Sequence, residues 1–165
     1  MKHISFKNSV DYLNKLRGVF YILVGIPLTI FLVLYLIFRQ HTFTAYYTTM
    51  SDLLIKILAS TFLLAGLSSF IFYFKKLPAA RNGSSLRNKL EQYYLICITK
   101  FSWLMVVSLL NLTFYFLTSH AFFAGVYILL LIMFALNNPS YYNVVGNLKL
   151  KKEEREIMKN NSAIS

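Results

Sequence analysis

Acidic residues, cysteine and proline are all scarce in this sequence of 165 residues, and each scarcity narrows what the protein can be. The chain has 6 Asp and Glu, one Cys and 3 Pro. A single thiol cannot form an internal disulfide or a paired-cysteine metal site. No carboxylate lies within a long apolar run except Asp52 at the edge of one. Coupled transport of protons or sodium usually relies on such an acid, so its absence argues against a coupled transporter.

Apolar residues are abundant and concentrated in blocks. They make up 57% of the chain, and only 14% of residues are charged, against about 25% in an ordinary soluble domain. A block of about 20 residues is long enough to cross the hydrocarbon core as a helix. We therefore expect an all-α integral membrane four-helix bundle, with residues 1–165 as a single domain and a cytoplasmic tail over 139–165. The expected spans are residues 19–38, 53–74, 99–118 and 121–138.

Local signals refine these spans. Pro27 lies within the first span and should kink or loosen it. Ser84 or Ser85 can cap a new helix after a turn-forming stretch. No helix-breaking residue occurs over 86–118, which predicts one long helix whose first part extends the third span into the cytoplasm. The charged stretch 149–160 predicts a surface helix.

The distribution of positive charge predicts the orientation. Of the 17 Lys and Arg residues, all but Arg39 and Lys56 lie in the N-terminal tail, the middle loop with its flanks, or the C-terminal tail. Loops rich in Lys and Arg stay in the cytoplasm, so both termini should be cytoplasmic. The net charge of +11 has no accompanying nucleic-acid recognition motif, and we expect no nucleic-acid partner. The basic residues that we assign to the membrane interface are Lys15, Arg17, Lys75, Lys76 and Lys100.

Lys56 and Lys100 each fall near the end of a span. The long side chain of lysine can extend toward the headgroups, and this is the simplest interpretation of both. The alternative is an ion pair with an acid of a partner protein inside the bilayer.

Small and polar residues at helical spacing mark candidate packing faces. Small residues let helix backbones approach closely, and an asparagine deep in a span can form a hydrogen bond to a neighbouring helix. Such a face can serve the protein's own bundle or, alternatively, an oligomer or a partner. The candidate helix-packing residues are Thr61, Ala65, Ser69, Asn111, Ala121 and Gly125.

The sequence contains little that could perform catalysis. No nucleophile elbow, phosphate-binding loop or paired-cysteine motif occurs, so we assign no catalytic residue and no cofactor. His41 and His120 are expected on the outer face near span ends, where they are weak candidates for a metal or haem site. The simpler interpretation is that both are polar residues in turns.

The whole chain resembles a family of small four-span bacterial inner-membrane proteins of no established function. The resemblance implies the same topology in a bacterial inner membrane and adds no biochemical activity. An acidic residue followed by glycine is frequent inside the third span of that family, but Met105 and Val106 stand there in this chain. The segments that carry the resemblance are LRGVFYILVGIPLTIFLVLYL (16–36), LRNKLEQYYLICITK (86–100), FYFLTSHAFF (114–123) and NNPSYYNVVGNLKLKKEERE (137–156).

These observations favour a non-enzymatic membrane protein. The first hypothesis is an accessory, scaffold or assembly subunit that acts by helix packing, with the lipid bilayer and a membrane-protein partner or a homo-oligomer as its contacts. The second is a transporter or channel component, or a lipid-handling protein, which predicts a polar cavity near Ser60, Ser108 or Asn111. The third is a membrane enzyme, which would need clustered polar side chains at one membrane face.

Overall fold

A computed structural model describes residues 6–40 and 50–164 of the chain. This part of the protein is helical, and no strand occurs in it. The helices in chain order are α1 (Ser9–Arg39), α2 (Asp52–Arg81), α3 (Leu86–Thr118), α4 (Ala121–Leu136), α5 (Tyr141–Leu148) and α6 (Lys152–Lys159).

Three of these helices, α1, α2 and α3, are each long and apolar enough to cross a membrane. The fourth apolar helix, α4, has 16 residues and meets the same criterion only together with α5. The described chain therefore has three to four helices suited to crossing a membrane. This finding supports a multi-pass membrane protein and a helical membrane bundle.

Helix boundaries follow from local chemistry. The hydroxyl of Ser85 accepts a hydrogen bond from the main-chain nitrogen of Asn88 at 3.2 Å, which confirms the predicted cap at the start of α3. Two prolines lie inside helices, because α1 continues past Pro27 and α2 continues past Pro78 to Arg81.

The polar tail contains two short helices, where the sequence predicted one over 149–160. The hydroxyl of Ser140 caps α5 by accepting from the nitrogen of Asn143 at 3.2 Å. Lys149 then adopts a left-handed conformation, with φ 49°, and ends that helix. The prediction is therefore wrong for residues 149–151, and it omitted α5. The hydrophobic stripe of α5 is only eight residues long, which makes it a weak signal in a sequence.

The chain groups into two compact units, and the expectation of a single domain over 1–165 stays a prediction. Unit 1 comprises residues 1–21, 71–100 and 138–165, and unit 2 comprises residues 22–70 and 101–137. The helices α1, α2 and α3 each contribute residues to both units.

Unit 1 has a core built from the first, middle and last segments of the chain. Tyr12, Leu90 and Leu148, one from each segment, are at most 1% exposed. The hydroxyl of Tyr12 donates to the main-chain oxygen of Leu90 at 3.1 Å. The main-chain nitrogen of Ile164 donates to the oxygen of Lys7 at 3.2 Å, which ties the C-terminal tail to the start of the chain.

Unit 2 has a core of α2, α3 and α4 residues and an apolar exterior. Leu104, Phe123 and Leu130 are completely buried in it. Large apolar side chains on other faces are open, such as Ile22 at 61% and Leu64 at 66% exposure. A soluble protein rarely exposes such continuous apolar surface, whereas lipid chains would solvate it.

Candidate functional site

A network of polar side chains lies within unit 1 and includes the buried lysine Lys100. Its ammonium nitrogen lies 3.9 Å from the centre of the Tyr73 ring, a cation–π contact. The Tyr73 hydroxyl donates to the hydroxyl of Tyr93 at 3.4 Å, which also accepts from the side-chain amide of Asn147 at 3.0 Å. Arg81 donates through Nε to the main-chain oxygen of Asn147 at 2.7 Å.

This network joins α2, α3 and α5. Tyr93 and Lys100 are seven residues apart on α3, so they share one face of the helix. Cys97 lies between them on the same face and is 2% exposed. Because the polar groups of the network bind one another, the arrangement is suited to holding helices together.

The interface assignment of Lys100 differs from its observed position, since this side chain is only 2% exposed. Lys75 and Lys76 are exposed. Lys15 pairs with Asp11 on α1, and Arg17 donates to the main-chain oxygen of Pro139, just before α5. The distances are 3.0 Å from Lys15 Nζ to Asp11 Oδ2 and 3.1 Å from Arg17 Nε to the Pro139 oxygen.

Two carboxylates of unit 1 are stabilised in their charged form. Hydrogen bonds from the Lys15 side chain and then from the Lys7 main chain lower the pKa of Asp11. Partial burial works to raise the pKa of Glu154, but the hydrogen bonds from the Lys89 ammonium and the Lys151 main chain, together with the positive charges of both lysines, outweigh burial and lower the pKa. Lys89 Nζ lies 2.7 Å from Glu154 Oε1, and this ion pair connects α3 to α6.

The predicted packing face on α2 is rotated relative to the observed one. Thr61 is exposed, and its hydroxyl donates to the main-chain oxygen of Ile57 in its own helix at 2.8 Å. Ser69 is 3% exposed, whereas Ala65 is half-buried and its main-chain oxygen accepts from Trp103 Nε1 at 2.9 Å. Gly66, which the sequence did not single out, is buried against Leu130.

Ala121 and Gly125 lie on an exposed face of α4. A Cβ atom built on Gly125 would have no heavy atom within 4 Å in the described protein. Together with His120 and Phe122 they line a groove of about 570 Å³ on unit 2. These two small residues therefore pack against no other described helix of unit 2.

Asn111 occupies the position expected of a packing asparagine. It is completely buried, and its side-chain amide donates to the main-chain oxygen of Phe123 at 2.8 Å. The bond joins α3 to α4 within unit 2. Ser108 and Tyr127, on the same two helices, are also buried, at 0% and 1% exposure.

The two candidate metal ligands are not brought together by the described residues. His120 caps α4, and its Nδ1 accepts a hydrogen bond from the main-chain nitrogen of Phe122 at 3.2 Å. His41 lies outside the described residues. Within 6–40 and 50–164, no three His, Cys, Asp or Glu side chains cluster as a metal site would require.

Comparison of the chain with family models, curated proteins and solved structures finds no match. The resemblance to a small bacterial inner-membrane family therefore stays a prediction. Site residues such as Tyr93, Asn147 and Tyr127 were not recognised in the sequence, because tyrosine and asparagine near span ends are common interface residues. Only the seven-residue spacing of Tyr93 and Lys100 could have indicated that their side chains share a face.

Proposed function

We propose that the protein is a non-enzymatic accessory, scaffold or assembly subunit of a bacterial inner membrane, acting through helix packing. The observation that carries the proposal is the separation of charge between the units. All Lys and Arg residues except Arg39 and Lys56 belong to unit 1, while the longest apolar segments belong to unit 2. A protein with one apolar unit suited to lipid and one strongly basic unit is suited to holding a partner at the membrane.

In this proposal the chain has four spans, with α4 as the fourth, and both termini in the cytoplasm. The first turns of α3 extend beyond the membrane as part of unit 1. The positive-inside rule supports this orientation, because the basic loops and tails share one side. The buried network around Tyr93 supports a structural role for unit 1, since its polar groups point at one another and at Arg81.

The second candidate function is lipid handling, and the groove on α4 favours it. The groove is lined by apolar groups with His120 at one end, and about 570 Å³ would accommodate part of an alkyl chain. Under this alternative, Ala121 and Gly125 leave room for the ligand. In the scaffold proposal, the same open face receives a helix of a partner or of a second copy.

Cysteine labelling tests the topology. In a Cys97→Ala background, we expect Asn82→Cys to react with a membrane-impermeant maleimide only after the cells are permeabilised. Ala121→Cys should react in intact cells. Labelling of Asn82→Cys from outside would contradict the proposed orientation.

Purification in mild detergent from the native membrane, followed by mass spectrometry, tests the function. A stoichiometric membrane-protein partner that is lost in Gly125→Leu, with the monomer still folded, would support the scaffold proposal. Thr61→Leu, on an exposed face of α2, is the matched control. A lone protein carrying a bound lipid, displaced by Gly125→Leu, would favour lipid handling.

A further inference from the structure

The helices α3 and α4 of unit 2 pair in a defined antiparallel register. The rings of Phe101 and Phe134 stack with their centres 6.4 Å apart. Further along, the side chain of Asn111 binds the main chain of Phe123. Between these two levels, Leu104 and Leu130 both lie beside Gly66 of α2. In this antiparallel register, Ser108 of α3 lies level with Tyr127 of α4. The two residues form one level of the helix pair, between the leucines and Asn111.

This level and the adjoining Asn111 carry polar atoms that the described residues do not satisfy. Ser108 Oγ, Asn111 Oδ1 and the Tyr127 hydroxyl are buried, and none has a hydrogen-bond partner within residues 6–40 and 50–164. The aromatic ring of Phe31, from α1, covers Tyr127 with a centre-to-centre distance of 4.6 Å. In a membrane, bulk water cannot satisfy such groups, and leaving them without partners is costly.

The unpaired donors and acceptors of Ser108, Asn111 and Tyr127 are complementary to those of one small ligand. The amide nitrogen of Asn111 already donates to Phe123, so the remaining Oδ1 can only accept. The hydroxyls of Ser108 and Tyr127 can each donate or accept. One water molecule could donate to Oδ1 and accept from both hydroxyls, and buried waters typically make about three hydrogen bonds.

We propose that Ser108, Asn111 and Tyr127 bind an internal water molecule that links α3 to α4 in the middle of the bundle. This inference does not depend on the proposed scaffold function, because it concerns only the interior of unit 2. The bound water would give the pairing of α3 and α4 a polar contact at one depth. A slip of either helix by one turn would break that contact.

A double-mutant cycle tests the proposal, with Ser108→Ala, Tyr127→Phe and the double variant. Unfolding is followed by SDS titration in dodecyl maltoside micelles, using the fluorescence of Trp103, the chain's one tryptophan and a residue of unit 2. Each single variant should lower the SDS fraction at the midpoint. The double variant should lower it by less than the sum of the two, because both hydroxyls bind the same water.

The control is Thr113→Val, whose exposed hydroxyl donates to Leu109 within its own helix. It should leave the midpoint within experimental error of the wild type. If Tyr127→Phe raises the SDS fraction at the midpoint or leaves it unchanged, no water is bound to Tyr127 and the proposal is overturned.

A second measurement identifies the ligand directly. Water-edited solid-state NMR of the protein in bilayers should show magnetisation transfer from water to the Asn111 side-chain amide, and the transfer should weaken in Tyr127→Phe. Absence of transfer in the wild type would overturn the proposal. A midpoint that rises when potassium is replaced by sodium would also overturn it, in favour of a cation held by the same oxygens.

Discussion

The side-chain amide of Asn111 on α3 donates a hydrogen bond of 2.8 Å to the main-chain oxygen of Phe123 on α4. Both residues are completely buried. The main-chain oxygen of Phe123 therefore accepts a hydrogen bond from a side chain of another helix. A hydrogen bond of this kind helps to hold two membrane helices together.

Replacing Asn111 with leucine should weaken unit 2. The variant keeps the branched shape and the number of side-chain heavy atoms but loses the bond to Phe123, and such bonds contribute about 0.6–2 kcal/mol. SDS titration followed by Trp103 fluorescence should show a lower midpoint for Asn111→Leu. An unchanged midpoint would mean that this contact contributes nothing to the pairing of α3 and α4.

A pair of glycine variants tests which small residues pack inside unit 2. A methyl group at Gly66 would overlap the end of the Leu130 side chain, whereas one at Gly125 would meet nothing within 4 Å in the described protein. Gly66→Ala should therefore cost about 1 kcal/mol, because Leu130 must move. Gly125→Ala should be neutral or slightly stabilising in the isolated protein. The same SDS titration measures both, and equal effects would contradict the observed packing.

The ion pair between Lys89 and Glu154 makes unit 1 sensitive to acid. The folded protein holds the pKa of Glu154 below its ordinary value of 4.5, so the pair stabilises the fold above that pH. The stabilisation is lost as the pH falls through the lowered value. Glu154→Gln should cost roughly 1 kcal/mol at pH 7 and less near pH 3, where more of the Glu154 carboxylate is protonated.

Thermal unfolding followed by circular dichroism at both pH values measures this difference. Glu153→Gln is the control, because it removes the same charge from an exposed neighbour. The two variants should differ in unfolding temperature at pH 7 and differ less near pH 3. A constant difference across this range would exclude the ionised pair as its cause.

The contact between Lys100 and Tyr73 predicts an order of effects. Tyr73→Phe keeps the aromatic ring under the ammonium group and loses a hydroxyl contact of 3.4 Å, so its effect should be small. Tyr73→Leu removes the ring and should cost about 1 kcal/mol more. The single, buried Cys97 in unit 1 reports unfolding through a thiol-reactive dye during heating.

Phe74→Leu is the control for this pair of variants. Phe74 is adjacent in sequence but 63% exposed, so its replacement should leave the temperature of dye labelling nearly unchanged. An equal decrease in the temperature of dye labelling for Tyr73→Phe and Tyr73→Leu would show that the Tyr73 ring does not stabilise Lys100.

The limits of α3 could be predicted from the sequence, whereas α1 begins well before the predicted span 19–38 and α2 continues well past the predicted span 53–74. The faces that the helices bury could not be predicted. Ser85 is a strong cap signal, and the range 86–118 forms α3 because no residue in it interrupts a helix. Hydropathy marks residues that avoid water without distinguishing protein from lipid as their surroundings. Thr61 and Gly66 were therefore equally plausible packing residues until the neighbouring helices were placed.

Long-range pairings were the least predictable features. Lys89 meets Glu154, 65 positions along the chain, and nothing in the spacing of charged residues indicates that choice. Lys100 resembles other basic residues at span ends, and its sequence position does not indicate that the Tyr73 ring from another helix lies against its ammonium group. The exposed pair Ala121 and Gly125 shows the same limit, because small residues suit an internal or an external helix equally well.

The three-part composition of unit 1 has a consequence for biosynthesis. Its core needs residues from the beginning, the middle and the end of the chain, down to Ile164. The segments of unit 2, by contrast, are all translated by Asn137. While the ribosome adds the last stretch, Lys7 and Ser9 at the start of the chain lack the main-chain and side-chain partners that Met158, Asn161 and Ile164 later provide. The nascent chain therefore passes through a stage at which a chaperone or a partner subunit could bind the start of α1 before the tail does.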